Sequence, residues 1–277
     1  VNGQFAGRHV GGYTRFCFEI DQFLRFGTKN TIAIKVDNKH HVDIPPLSAD
    51  FTFYGGIYRD VYLEFSNKIH IATNHFASGG VYIKTPAVSE KEATVEINSL
   101  ISNESSVPEK IIIENTIYAP SGKQIKSNRN TLLLKPNSTF SATNKKIAIE
   151  NPALWDIENP QLYTLYTRIY DKSGRNLLDE VSTTFGLRWF KFDPEQGFFL
   201  NGKHRKLRGT NRHQDYLAKG NALRDEMHVR DLLLLKEMGI NFLRISHYPQ
   251  DPVVLEMCDK LGIVVSVEIP VVNEITE

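Results

Sequence analysis

The chain has few cysteines, no long apolar run and almost no net charge. Its 277 residues include two cysteines, Cys17 and Cys258, which are too few and too far apart for a disulfide framework or a zinc motif. We expect both thiols to be buried. No apolar run approaches the roughly 20 residues that a membrane helix needs. Lys and Arg number 33 against 32 Asp and Glu, so a net charge of +1 predicts neither a nucleic-acid nor a membrane partner.

The sequence also lacks the short motifs of several enzyme classes. It contains no glycine-rich phosphate loop, no Gly-x-Ser-x-Gly elbow and no His-Glu-x-x-His. His40 and His41 are adjacent, so on a strand their rings would point to opposite faces and share no metal ion. The first methionine is Met227 and the chain begins with Val1, so we expect a sequence that starts inside a longer protein or after processing. The compartment, periplasm or cytoplasm, stays open.

The first two thirds of the chain show the alternation that is typical of β-strands. Near the start, alternating apolar and polar residues predict strands at 13–20, 31–36 and 61–65. A second block has short strand patterns separated by turn signals at fairly regular intervals, which is typical of an immunoglobulin-like sandwich of about 100 residues. Its predicted strands are 93–99, 110–118, 130–134, 145–149 and 162–170.

From about residue 186 the pattern changes to strands that alternate with helices. Strands are predicted at 206–208, 241–245 and 263–267. The helix boundaries depend on capping signals, which are Asp225 and Gly239 for the first helix, and Asp251, Pro252 and Gly262 for the second. A complete eight-stranded α/β barrel takes about 250 residues, so this block predicts only the first units of one.

Polar residues cluster just after the predicted strands of this last block. Residues 208–215 read RGTNRHQD, which offers donors and acceptors suited to sugar hydroxyls, although a polar loop with a capping role explains them equally well. Arg244 lies in an apolar strand and needs a partner such as a carboxylate. His247 follows that strand, and a structural ion pair beside a core histidine is the alternative to a site. Glu268 ends the next strand, where it either pairs with Arg244 or lines the site.

Motifs along nearly the whole chain resemble those of a single protein family. The most specific is NFLRISHYP at residues 241–249, continued by DKLGIVV at 259–265. Others are VNG at 1–3, GGYT at 11–14, YGGIYRDV at 54–61, LW at 154–155, ENP at 158–160, GFFLNGK at 197–203 and RGTNRHQD at 208–215. Together they resemble glycoside hydrolase family 2, the family of β-galactosidases and β-glucuronidases.

The resemblance implies a multidomain, mainly β fold. It would consist of a partial jelly-roll β-sandwich at 1–65, an immunoglobulin-like β-sandwich at 66–185, and the first β/α units of an incomplete (β/α)8 barrel at 186–277. The chain would be an internal part of a longer enzyme. That enzyme would be a retaining exo-β-glycosidase, for which we expect β-galactosidase activity. The alternatives are a β-glucuronidase or β-mannosidase of the same family, or a non-catalytic carbohydrate-binding or structural β-sandwich module.

The resemblance also implies roles for individual residues. His213 and His247 would contact the sugar at the transition state, Arg244 would orient the catalytic nucleophile, and Asn211 would be a further contact. Asp50 matches a jelly-roll aspartate that reaches the active-site rim in β-galactosidases. Both catalytic glutamates would lie after residue 277, because Asn273-Glu274 comes too soon after the third strand to be the family's Asn-Glu pair. We therefore expect the chain alone to be inactive.

The resemblance predicts a carbohydrate substrate as the partner and a homo-oligomer for the longer enzyme. The family's metal-binding Glu and His have no match in residues 269–277, so no cofactor and no metal ligand are predicted in this chain. A required magnesium site is therefore not expected, and the binding of magnesium or sodium elsewhere in the parent enzyme stays open.

Overall fold

The computed structural model describes residues 1–275, apart from the side chain of residue 145. By backbone contacts the chain divides into two units. One is Leu63–Leu207, and the other combines Val1–Tyr62 with the chain from Arg208 onward. No helix in the described part of the chain is long and apolar enough to cross a bilayer.

The unit Leu63–Leu207 contains eleven antiparallel strands. They are β1 (Ile69–Ile71), β2 (Val81–Val88), β3 (Glu92–Asn103), β4 (Glu109–Tyr118), β5 (Gln124–Leu134), β6 (Ser138–Glu150), β7 (Tyr163–Asp171), β8 (Leu177–Phe185), β9 (Phe190–Asp193), β10 (Gly197–Leu200) and β11 (Lys203–His204). In the first sheet, β3 pairs with β6 along one edge and with β1 and β2 along the other. The second sheet has the order β5-β4-β7-β8, and the third has the order β11-β10-β9.

Alternating residues explain how the first two sheets pack into a sandwich. In β3, every second residue from Ala93 to Ile101 is buried, and the residues between them are less buried. Side chains of β3 meet those of β4 and β7 in two buried clusters, which include Val95, Ile97, Ile117 and Leu165 in one and Ile101, Ile111, Ile113 and Ile169 in the other. Burial of each such side chain contributes about 2 kcal/mol. The predicted sandwich is confirmed, and its five predicted strands correspond to β3–β7.

The first part of the chain differs from the prediction. It contains a short 3₁₀ turn at Asp21–Phe23, and no strand is found before β1 in the described structure. The strands predicted at 13–20, 31–36 and 61–65 are therefore wrong. A strand requires backbone hydrogen bonds to a neighbouring strand, and an alternating sequence alone supplies no neighbour. The partial jelly-roll assignment stays a prediction.

The chain from Arg208 forms a parallel sheet with two connecting helices. The elements are β12 (Gly209–Arg212), α1 (Asp225–Glu237), β13 (Phe242–Ile245), α2 (Pro252–Leu261) and β14 (Val264–Val267). The sheet has the order β12-β13-β14. The strand predicted at 206–208 is wrong, because the ladder starts only where Gly209 pairs with Phe242. The other two strands and both helices are confirmed.

Capping residues set most of the helix boundaries. The Asp251 side chain accepts a hydrogen bond from the Val253 N–H at 3.1 Å, and Gly262 ends α2 in the left-handed region with φ of 69°. Asp225 differs from the prediction, because it is the first residue of α1, and the N-cap position belongs to Arg224, which makes no side-chain capping bond. The Asp225 carboxylate still lies at the positive end of the helix dipole.

The helices cover the parallel sheet through a small apolar core. Its buried members are Leu232, Leu243, Ile245, Val254, Cys258 and Ile263. Burial raises the pKa of the Cys258 thiol to about 12. Cys17 is exposed, so the expectation of two buried thiols is correct for Cys258 alone.

Candidate functional site

The candidate site lies at the carboxyl ends of the three parallel strands. Arg212, Ile245 and Val267 stand side by side in register as the last residues of β12, β13 and β14. The chain continues past these ends with the polar side chains His213, His247 and Glu268. Carboxyl ends of parallel strands share one edge of the sheet, so the register brings these side chains together.

Glu268 joins Arg244 to His247. Its carboxylate accepts a hydrogen bond from Arg244 Nε, and its second oxygen lies 2.7 Å from His247 Nδ1. Arg244 Nη2 is 3.4 Å from the same imidazole nitrogen. Burial opposes ionisation of Glu268, but the hydrogen bonds from Arg244 and His247 outweigh it and lower the pKa of Glu268. The carboxylate partner predicted for Arg244 is therefore Glu268.

His213 lies beside His247, with ring centroids 5.3 Å apart in an edge-to-face arrangement. Its Nδ1 is 3.3 Å from the hydroxyl of Tyr248. Burial lowers the pKa of His213, the neighbouring His247 and Arg244 lower it further, and Asp215 and Glu268 oppose the shift. His213 is therefore neutral near pH 7, where it can donate a hydrogen bond from one ring nitrogen and accept one at the other.

A buried network of polar side chains connects the end of β12 to α1 and to the loop after β13. Arg212 donates to Asp231 Oδ2 from Nη2 at 2.7 Å and to Gln250 Oε1 from Nη1 at 2.8 Å. His228 Nδ1 lies 3.1 Å from Arg212 Nη2. The Gln250 side chain donates back to the Arg212 carbonyl, so the end of β12 is fastened to the loop that follows β13. Each of these four side chains thus has a polar partner inside the fold.

The remaining predicted residues lie at the margin of this cluster. Asn211 pairs in register with Arg244 and is exposed. Asp50 is also exposed. The residue after it, Phe51, was missed by the sequence reasoning, and its ring centroid lies 5.1 Å from that of His213 and 5.8 Å from that of His247. The sequence signal that could have found it is its position beside Asp50 in an aromatic-rich segment.

The described residues contain no group of three His, Cys, Asp or Glu side chains placed to hold a metal ion. His40 and His41 are exposed. Metal ligands were not expected in the segment 269–277, of which residues 276 and 277 lie outside the described residues. The cofactor expectation stays a prediction.

Comparisons with known proteins point to one family. A family profile described as "Glycosyl hydrolases family 2" matches residues 74–188, and one described as "Glycosyl hydrolases family 2, TIM barrel domain" matches residues 194–276. The chain is 38% identical over 276 residues to a β-glucuronidase of Bacteroides fragilis, covering 99% of this chain and 39% of that protein. It is 34% identical over 275 residues to a β-galactosidase of Thermoanaerobacter pseudethanolicus, covering 98% and 35%.

Solved structures show the same likeness. The crystal structure of a Bacteroides uniformis β-glucuronidase superposes with a TM-score of 0.95 at 46% sequence identity, and the match covers 98% of this chain and 32% of that one. The chain thus spans less than half the length of each of these three relatives.

Proposed function

Because the chain belongs to glycoside hydrolase family 2, we propose that it supplies the sugar-binding part of a retaining exo-β-glycosidase that removes terminal non-reducing β-linked sugars. Such an enzyme uses two carboxylates, one as the nucleophile that forms a covalent glycosyl-enzyme and one as the general acid and base. In this proposal both carboxylates belong to the parent protein outside the chain, and the chain by itself has no turnover.

The observation that carries the proposal is the meeting of His213, His247 and Arg244 at neighbouring strand ends. The transition state of glycoside hydrolysis has oxocarbenium character. Imidazole and guanidinium groups that hold the sugar oxygens more strongly at that point than in the ground state lower the barrier. In the proposed mechanism the two histidines hold the sugar, Arg244 orients the nucleophile, and Asn211 and Asp50 add contacts at the rim.

The identity of the sugar is a separate and more specific part of the proposal. The match of Asp50 favours a β-galactoside, as the motifs predict. The relatives at 38% and 46% identity are β-glucuronidases, which favours a β-glucuronide. We place β-glucuronidase activity first for this reason and keep β-galactosidase activity as the second candidate. A carbohydrate substrate, a homo-oligomeric parent enzyme and the domain borders after residues 65 and 185 belong to the same proposal.

The experiment is an assay of the full protein that carries this sequence, with aryl β-glucuronide, β-galactoside and β-mannoside as substrates. His247→Asn should lower kcat/KM about 100-fold or more on the preferred substrate. His204→Asn is the matched control, because His204 is an exposed histidine of β11 and should leave the rate unchanged. Sugar binding without hydrolysis of any of the three substrates would favour a non-catalytic carbohydrate-binding module. Hydrolysis at an unchanged rate by His247→Asn would contradict the role proposed for His247.

A further inference from the structure

We propose that Phe51 is a positioning residue of this site, whose ring packs against His213 and His247 and holds both imidazoles in place and shielded from water. The proposal extends the proposed glycosidase function, because it assigns a task to a residue that none of the motifs singled out. Phe51 acts through the two histidines and needs no contact with the sugar itself.

The contacts of the Phe51 ring carry the proposal. Its centroid lies 5.1 Å from that of His213 at an interplanar angle of 44°, and 5.8 Å from that of His247 in a nearly parallel arrangement at 23°. A third contact is to the ring of Tyr248, at 5.2 Å and 56°. These are favourable aromatic separations. One ring thus touches both imidazoles, which come from different strand ends.

The segment that carries Phe51 is fastened to the loop that carries His247. Tyr13 stacks on Tyr248 with centroids 4.3 Å apart and an angle of 16°. Arg59 donates from Nη2 to the Pro249 carbonyl at 2.6 Å and from Nη1 to the Tyr13 carbonyl at 3.0 Å. Phe51 lies between these two attachment points in the sequence, so the position of its ring is coupled to the geometry of the site.

Charged and titratable groups surround His213 on its other sides. Arg244 and His247 from β13 and the loop after it disfavour its protonation, whereas Asp215 and Glu268 favour it. The Tyr248 hydroxyl lies at its Nδ1, and Asp50 precedes Phe51 in the N-terminal segment. Among these neighbours, Phe51 contributes an apolar face that displaces water from the ring. Since burial is the largest cause of the lowered pKa of His213, loss of this face should raise that pKa towards its ordinary value.

The test compares Phe51→Ala, Phe51→Leu and Phe16→Ala in the full protein. Phe16 is the matched control, because it stacks on a different histidine of the same segment, His9, with centroids 4.6 Å apart. Diethyl pyrocarbonate acylates neutral imidazole, so the rate of modification at each histidine, followed by mass spectrometry from about pH 5 to pH 8, reports both exposure and protonation. This readout requires no enzymatic activity.

We expect Phe51→Ala to accelerate modification of His213 and His247 several-fold and to move the His213 midpoint to higher pH. Phe51→Leu, which keeps apolar volume, should show a smaller change, and it replaces the alanine variant if that variant does not fold. Where the protein hydrolyses a β-glycoside, Phe51→Ala should lower kcat about tenfold with a smaller effect on KM.

Unchanged modification rates at both histidines, or the same change in Phe16→Ala, would overturn the proposal. A protein that hydrolyses no β-glycoside but shows the expected modification pattern would overturn the proposed function and leave the role of Phe51 supported.

Discussion

At the scale of single residues, Glu268 fixes the orientation of two side chains of the candidate site. It accepts hydrogen bonds from Arg244 and His247 at the same time, and about a quarter of its side chain is exposed. A carboxylate can serve both donors because both of its oxygens are acceptors. The hydrogen bond from Nδ1 to Glu268 also leaves Nε2 of His247 as the ring nitrogen available to a ligand.

Glu268→Gln should therefore weaken catalysis without removing a sugar contact. The amide replaces one acceptor oxygen with an NH₂ group, which then faces the donor of either Arg244 or His247. We expect kcat/KM of the full protein to fall about 10- to 100-fold. Glu256→Gln, on the exposed side of α2, is the control and should behave as the parent does. Equal rates for both variants would show that the carboxylate does not orient the pair.

The buried network around Arg212 predicts a pH dependence of stability. His228 is 2% exposed, and burial, followed by the nearby Arg212, lowers its pKa, while Asp231 and Asp251 oppose the shift. Below about pH 6.5, the ordinary pKa of histidine, His228 is protonated in the unfolded chain but stays neutral in the folded chain. The free energy of unfolding should therefore fall as the pH drops below about 6.5, and this loss continues until the folded pKa is reached.

Melting temperatures measured from about pH 7.5 to 5.5 test this dependence. His228→Gln keeps a side-chain acceptor for Arg212 and removes the titration, so its melting temperature should decline less steeply with acid than that of the parent. His213 titrates with the same sign and accounts for a remaining slope. A parent-like slope in His228→Gln would contradict the assignment.

Asp50 and Phe51 illustrate which residue contacts could not be predicted from the sequence. The motifs single out Asp50, yet the aromatic contacts to the two histidines belong to Phe51. Neighbouring residues in a loop have no fixed period, so a motif identifies the segment but not the side chain that turns inwards. The proximity of four other side chains could be predicted, because the carboxyl ends of parallel strands lie at the same edge of the sheet. These side chains are His213, Arg244, His247 and Glu268.

At the scale of elements, local capping signals predicted the helices, whereas strand predictions depended on available partners. Asp251, Pro252 and Gly262 define α2 through interactions within a few residues. The alternating residues 31–36 carry an equally clear local pattern but form no ladder. A helix satisfies its own backbone hydrogen bonds, and a strand depends on a segment that may be distant in sequence.

Asp251→Ala should destabilise the unit that contains α2 by about 1 kcal/mol, because the Val253 N–H loses its acceptor. The change should appear as a lower melting temperature and as faster hydrogen exchange in the first turn of α2. Asp251→Asn retains a capping oxygen and should be close to the parent. An equal loss in both variants would mean that the negative charge, and not the cap, stabilises the helix.

At the scale of the whole molecule, one contact unit is assembled from two distant stretches of chain. Residues 1–62 join the chain from Arg208 onward, although 145 residues of the other unit, Leu63–Leu207, separate them in sequence. Composition and periodicity report on neighbouring residues, so they could predict each block and not this association. The association matters for the site, because it brings Phe51 to the histidines.

Loss of the Arg59 guanidinium should loosen this association. Its guanidinium donates to the carbonyls of Tyr13 and Pro249, which belong to the two different stretches. Lysine has a single ammonium and cannot reproduce the two separated donors of the guanidinium fork. In Arg59→Lys we therefore expect faster hydrogen exchange in residues 10–20 and around Pro249, measured by mass spectrometry. Arg129→Lys, on an exposed strand of the other unit, is the control. Unchanged exchange in both stretches would show that aromatic packing alone holds them together.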